Sequence, residues 1–179
     1  MLHRIFIAIT VPEKLKQELL SYQEKWPELP ARWAKSANLH ITLAFLGNRS
    51  DQEVEQLRET LASLVALYPS FSLEIDQILY GPSASNPRMV WARIAENANL
   101  IALQKEISKR LLPSEPDTFF AHVTLARLNT WKMRELEELP ELDMAISLSV
   151  PVRSVEIMES RLNPRGATYT VMESIPLKH

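Results

Sequence analysis

Two short stretches of the chain carry side chains suited to acid–base chemistry. Residues 40–46 read His-Ile-Thr-Leu-Ala-Phe-Leu and residues 122–128 read His-Val-Thr-Leu-Ala-Arg-Leu. They are identical at five of seven positions and lie 82 residues apart. An imidazole with an ordinary pKa near ~6.5 is equipped to accept or donate a proton close to neutrality. A threonine hydroxyl two residues further on is equipped to hydrogen-bond a nonbridging phosphate oxygen. Two such sets facing one phosphate would support in-line displacement: one imidazole activates the attacking oxygen and the other protonates the departing one. The same pair of histidines could begin a zinc site, but a third ligand is needed, and neither repeat has a carboxylate or a second histidine at ligand spacing. No metal and no other cofactor is therefore expected.

The repeats must sit on strands for this to work. Successive side chains of a strand alternate faces, so His40 and Thr42 share one face, as do His122 and Thr124. Ile41, Leu43, Val123 and Leu125 then point into a core. The sequence around them reads as a mixture of strands and helices. Strands are expected at 4–10, 39–46, 71–80, 89–94, 119–128, 146–150, 154–160 and 168–173, from β-branched, aromatic or alternating runs. Apolar residues at helical spacing predict helices after Pro12, over Val54–Val65 behind a Ser50 cap, over Leu100–Leu111 ahead of Pro113, and briefly at 133–139. Strict βαβ alternation fails, which points to an α+β chain with largely antiparallel sheets. One motif strand in each half predicts two lobes related by a pseudo-twofold axis around a central cleft, with helices outside. Residues 1–179 are read as a single bilobal domain.

Composition removes several classes of function. The 179 residues include no Cys, which excludes disulfide scaffolds, Cys-ligated zinc, iron–sulfur clusters and cysteine nucleophiles. Twenty basic and 22 acidic residues leave a formal charge of −2, unlike a general electrostatic binder of duplex nucleic acid. The apolar run at Ile5–Val11 is too short to span a membrane and lacks a small-residue cleavage site, so a cytoplasmic protein with no membrane partner is the expectation.

With these residues assembled, the chain resembles the two-histidine phosphoesterases. Within that superfamily it is similar to the RNA 2′,3′-cyclic phosphodiesterases, the LigT-like or 2′-5′ RNA ligase proteins. The resemblance rests on both His-x-Thr repeats, on the opening Arg-Ile-Phe-Ile-Ala-Ile, on Asn38–Gly47, on Ala121–Arg127, and on Glu159-Ser160-Arg161-Leu162 ahead of Tyr169. It implies metal-independent hydrolysis of a 2′,3′-cyclic phosphate to a 2′-phosphate, with RNA ends or cyclic nucleotides as substrate and no obligate protein partner. It also implies roles. His40 would protonate the departing 3′ oxygen, His122 would activate water, and Thr42 and Thr124 would bind the phosphate. Phe45 would stack on a base and Arg127 would contact a phosphate. In an ideal strand these last two face away from their histidines, so a bulge or the end of the strand must turn them. Reversible 2′-5′ ligation and a non-catalytic RNA- or nucleotide-binding module are the alternatives. Arg161 and Arg165 are further candidates for RNA phosphates or for plain surface, and Trp33 and Trp91 for base stacking or core. His3 and His179, near the termini, receive no role.

Overall fold

The structure is a computed structural model that describes residues 1–112, 118–164 and 166–178. Pro113, Arg165 and His179 lie outside the described residues. The strands are β1 (Leu2–Thr10), β2 (Ala31–Trp33), β3 (His40–Ser50), β4 (Phe71–Gly81), β5 (Met89–Ile94), β6 (His122–Leu128), β7 (Asp143–Val152), β8 (Ser154–Asn163) and β9 (Gly166–Pro176). The helices are α1 (Glu13–Ser21), α2 (Asp51–Val65), α3 (Ala98–Leu111) and α4 (Thr130–Arg134). The α+β expectation holds, and the two lobes are fused into one curled antiparallel sheet.

Its strand order, β9-β8-β1-β3-β6-β5-β4-β7, is symmetric about the seam between β3 and β6. The lobes are not the two halves of the sequence, however. Strand β4 from the first half pairs with β5, and β8 from the second half pairs with β1. The first half therefore lends β4 to the lobe of β6, and the second half lends β8 and β9 to the lobe of β3. At the seam β3 and β6 share one antiparallel pair, Ile41 opposite Val123. Beyond it they part, and β2 takes over the free edge of β6 at Ala126–Leu128. The parting of β3 and β6 opens the cleft.

Local sequence explains the elements that brace this seam. Ser50 caps α2 by accepting from the Glu53 amide at 3.3 Å, and Glu53 reciprocates by accepting from the Ser50 amide at 2.7 Å. Such a capping box typically stabilises a helix by about 1 kcal/mol. Asn97 caps α3 through the Leu100 amide at 3.0 Å, and Lys109 and Arg110 occupy its last turn, where cations suit the helix dipole. The 3.6-residue period puts Leu57, Leu61 and Leu64 of α2, and Leu100, Leu103 and Ile107 of α3, into one core with Ile41, Leu43, Val123 and Leu125. Burying each such side chain contributes roughly 1.5–3 kcal/mol. The apolar face of the motif strands is thereby fixed, which forces their polar side chains to the opposite, concave face.

Several boundaries differ from expectation. Strand β3 does not close at Gly47 but passes through it to Ser50, with Gly47 at φ +74°. Strand β2 was not expected; three residues are too few to show a period. The helix expected at 133–139 is a single turn further upstream, at Thr130–Arg134.

Candidate active site

The two repeats have the same pattern of burial, residue for residue. His40 and Thr42 are half-buried, as are His122 and Thr124. Ile41, Leu43, Val123 and Leu125 are buried beneath them. The antiparallel register about Ile41 and Val123 sets His40 across from Thr124 and Thr42 across from His122. All four polar side chains therefore line one face of the seam.

Each imidazole is held by the carbonyl two residues before it. His40 Nδ1 donates to the Asn38 carbonyl at 2.8 Å, and His122 Nδ1 donates to the Phe120 carbonyl at 2.7 Å. A carbonyl only accepts, so this contact places the ring proton on Nδ1 and leaves Nε2 as the basic atom of each neutral ring. His40 Nε2 lies 3.1 Å from the Thr42 hydroxyl, which donates to it. Asn38 is itself anchored, its side-chain amide donating to the Ala167 carbonyl at 3.1 Å.

Burial depresses both rings. It holds the His40 imidazole down at about 4, against the opposing effect of the Asn38 carbonyl. A positive charge on His122 disfavours one on His40, which reports that the two rings sense each other. His122 is pushed the same way by burial. In the free protein at neutral pH both rings are therefore uncharged.

The aromatic neighbours differ. The His122 ring stacks on the indole of Trp91, with centroids 3.9 Å apart and planes inclined by 16°. Trp91 is thus a core residue rather than a free stacking platform, only 9% exposed. Its Nε1 is buried with no hydrogen-bond partner among the described residues. Gly81 makes room for it, since a Cβ there would lie 2.2 Å from the indole. His40 instead meets Phe6 at 5.0 Å and, edge to face, Tyr169 at 5.0 Å.

Phe45 and Arg127 reach the concave side because both motif strands bulge at the same place. Against β1, Thr42 pairs with Ala8 and Ala44 with Ile7, leaving Leu43 unopposed. Against β5, Thr124 pairs with Trp91 and Ala126 with Val90, leaving Leu125 unopposed. The extra residue reverses the alternation, so Phe45 is 69% exposed where an unbroken strand would bury it. The bulged carbonyls are satisfied from outside the ladder. Leu43 accepts from the buried Gln104 side chain of α3 at 3.4 Å, and Leu125 accepts from the Ala34 amide at 2.8 Å. Phe45 and Arg127 line one cavity of about 390 Å³ together with Phe6 and Tyr169, the two rings against His40.

Other candidates fall elsewhere. Arg161 does not line this cavity; it is exposed and donates to Glu159 at 2.9 Å, because alternation along β8 sends Ser160 and Leu162 inward and Arg161 out. Trp33 is half-buried against the core. His3 bridges Glu159 at 2.7 Å and Asp51 at 2.9 Å, far from the seam in the sheet register. Among the described residues, no group of three His, Asp or Glu side chains is placed to hold a metal ion. No helix of the described residues is long and apolar enough to cross a membrane. Arg4 and Arg32 of the cavity wall were not anticipated; Arg32 lies on the short strand that periodicity cannot reveal.

A family model described as LigT-like phosphoesterase matches residues 9–91, which include the first repeat. A curated relative from Thermotoga maritima, named RNA 2′,3′-cyclic phosphodiesterase, is 29% identical over 94% of this chain and 92% of its own length. One of the same name from Methanocaldococcus jannaschii is 27% identical over 95% of this chain and 98% of its own. The chain is similar to the LigT-like phosphoesterases over nearly its whole length. A crystal structure of a Thermus thermophilus protein superposes with a TM-score of 0.82 at 26% identity, over 98% of both chains. Escherichia coli LigT shares the fold, with a TM-score of 0.76 at 24% identity over 100% of this chain and 99% of its own. This likeness extends across the second repeat, which the family model leaves out.

Proposed function

We propose that this LigT-like phosphoesterase opens 2′,3′-cyclic phosphates at RNA ends by water, leaving a 2′-phosphate and a free 3′ hydroxyl. The observation that carries the reading is the pair of Nδ1-to-carbonyl clamps, which leave two basic Nε2 atoms beside two hydroxyls on one concave face.

The reaction follows from those groups. Thr42 and Thr124 donate to the nonbridging oxygens of the cyclic phosphate. Its negative charge, set between two rings that burial keeps neutral, favours a proton on one of them. His40 takes that proton on Nε2. Neutral His122 Nε2 accepts the proton of water as the water oxygen bonds to phosphorus. The bond from phosphorus to the 3′ oxygen breaks, and His40 supplies that oxygen with its proton. The two histidines end with exchanged protonation and reset through solvent. The stacked Trp91 face favours the imidazolium that forms on His122, since a ring face attracts a cation. Ligation uses the same groups with a ribose hydroxyl in place of water.

The test is incubation with a nucleoside 2′,3′-cyclic phosphate in excess chelator. Turnover is expected to persist and to give the 2′-phosphate. A 3′-phosphate product would reverse the leaving oxygen and so the two histidine roles. Loss of turnover that added zinc restores would contradict a metal-independent reaction.

A further inference from the structure

The cavity beside His40 contains more positive charge than the reaction at phosphorus uses. Arg32 of β2 lies directly opposite Arg127 of β6 in the strand register, and both line the cavity, as does Arg4 of β1. Like charges directly opposite on neighbouring strands destabilise a sheet. No carboxylate offsets them: among the described residues none of the three arginines has an ion-pair partner, and no Asp or Glu lines the cavity. Arg127 has only a long contact with the Met89 sulfur, at 3.9 Å. The Arg32 guanidinium rests over Gly166, where a Cβ would approach it to 3.2 Å; a side chain there would crowd it. In a chain of net charge −2, a built cavity with three unpaired guanidiniums is a site for an anion.

We infer that Arg4 and Arg32, next to Arg127, form a second phosphate subsite, which takes the phosphate on the 5′ side of the terminal nucleotide. The inference rests on the proposed function. The terminal nucleotide of a cyclic end has one phosphate on its 2′ and 3′ oxygens, and the two threonines claim that one. The next anion along the strand is the phosphodiester attached through the 5′ oxygen. The cavity walls also fit a nucleoside placed between the two phosphates, because Phe45 and Tyr169 present aromatic surface there. The protein is thereby built for an RNA end rather than for a free cyclic nucleoside.

The test compares three substrates with the same terminal base: the nucleoside 2′,3′-cyclic phosphate, its 5′-phosphorylated form, and the dinucleotide ending in the cyclic phosphate. A 5′ phosphate is expected to raise kcat/KM roughly tenfold to a hundredfold, mainly through KM and less so at high salt. Preference for the dinucleotide over the 5′-phosphorylated mononucleotide would show that the chain phosphodiester fits better than a terminal phosphate. In Arg4→Gln/Arg32→Gln the ratio of kcat/KM with and without the 5′ phosphate is expected to fall to near one, and Arg32→Lys to restore part of it. The thermal midpoint should not drop, since the change relieves repulsion. Equal kcat/KM for all three substrates, or an unchanged ratio in the double variant, would overturn the subsite. Calorimetric binding of adenosine 2′-phosphate against adenosine 2′,5′-bisphosphate reads the same subsite without turnover. If no substrate is turned over but the bisphosphate binds tighter to the parent than to the double variant, the activity is wrong and the subsite stands.

Discussion

The two half-sites are built on one plan and furnished differently. Each has a strand that enters at histidine, an Nδ1 clamp on the carbonyl two residues back, a threonine on the same face, and a bulge one residue later. Around that shared backbone the rings diverge. His122 lies flat on a buried indole, whereas His40 is wedged between Phe6 and Tyr169 and hydrogen-bonded to its own Thr42. The bulge carbonyls differ as well, one being met by a side chain of a helix and the other by the backbone leading out of β2. In the proposed reaction, symmetry of the backbone supplies two proton carriers for one anion, and asymmetry of the neighbours makes them unequal.

The harshest way to break this comparison is to remove one ring at a time. His40→Ala and His122→Ala should each lower turnover of a 2′,3′-cyclic nucleotide by ~100–10,000-fold. Full activity in either would take that residue out of the reaction.

A subtler intervention leaves the rings and removes the difference between them. Trp91→Leu should cost about tenfold in kcat and shift the pH dependence assigned to His122, with Trp91→Phe recovering part of both. If Trp91→Leu changes stability but not the pH profile, the stack is packing only. Gly81→Ala should act in the same direction, because its Cβ cannot coexist with the indole where it lies.

The smallest effect is expected at the bulge. Gln104→Leu leaves the Leu43 carbonyl without its amide, which should cost about 1–3 kcal/mol of stability in a denaturant titration. Activity should fall by less than in the Trp91 variants. A loss as large as that of a histidine would mean that the bulge, and not the rings, limits the reaction.

Much of the fold was legible because it depends on short-range patterns. A β-branched and aromatic run located β1, alternation located β4, and the Ser50–Glu53 spacing announced the start of α2. The His-x-Thr repeat by itself named the four polar side chains of the seam. The exchange of β4 for β8 and β9 between lobes was not legible, because strand pairing at long sequence separation leaves no local signal. The bulges were legible only as a conflict: Phe45 and Arg127 have the wrong parity for the cleft, and an extra residue in each strand resolves it. Of the two places open to Arg161, the surface is the one it takes, since β8 keeps its alternation through Ser160 and Leu162 and turns it outward. Arg32 went unseen because its strand is three residues long, and its position opposite Arg127 exists only once that strand is paired.

The most direct test of the paired-imidazole account is the pH profile of each single-histidine variant beside that of the parent. In the parent, kcat/KM reports the free protein, where burial depresses both rings, so its maximum should lie below pH ~6.5. The bound phosphate raises both, so the maximum of kcat should lie at higher pH. The residual activity of His40→Ala should keep only the limb that belongs to His122, and that of His122→Ala only the other. Coincident maxima above pH ~7, or a whole bell surviving in either variant, would contradict it.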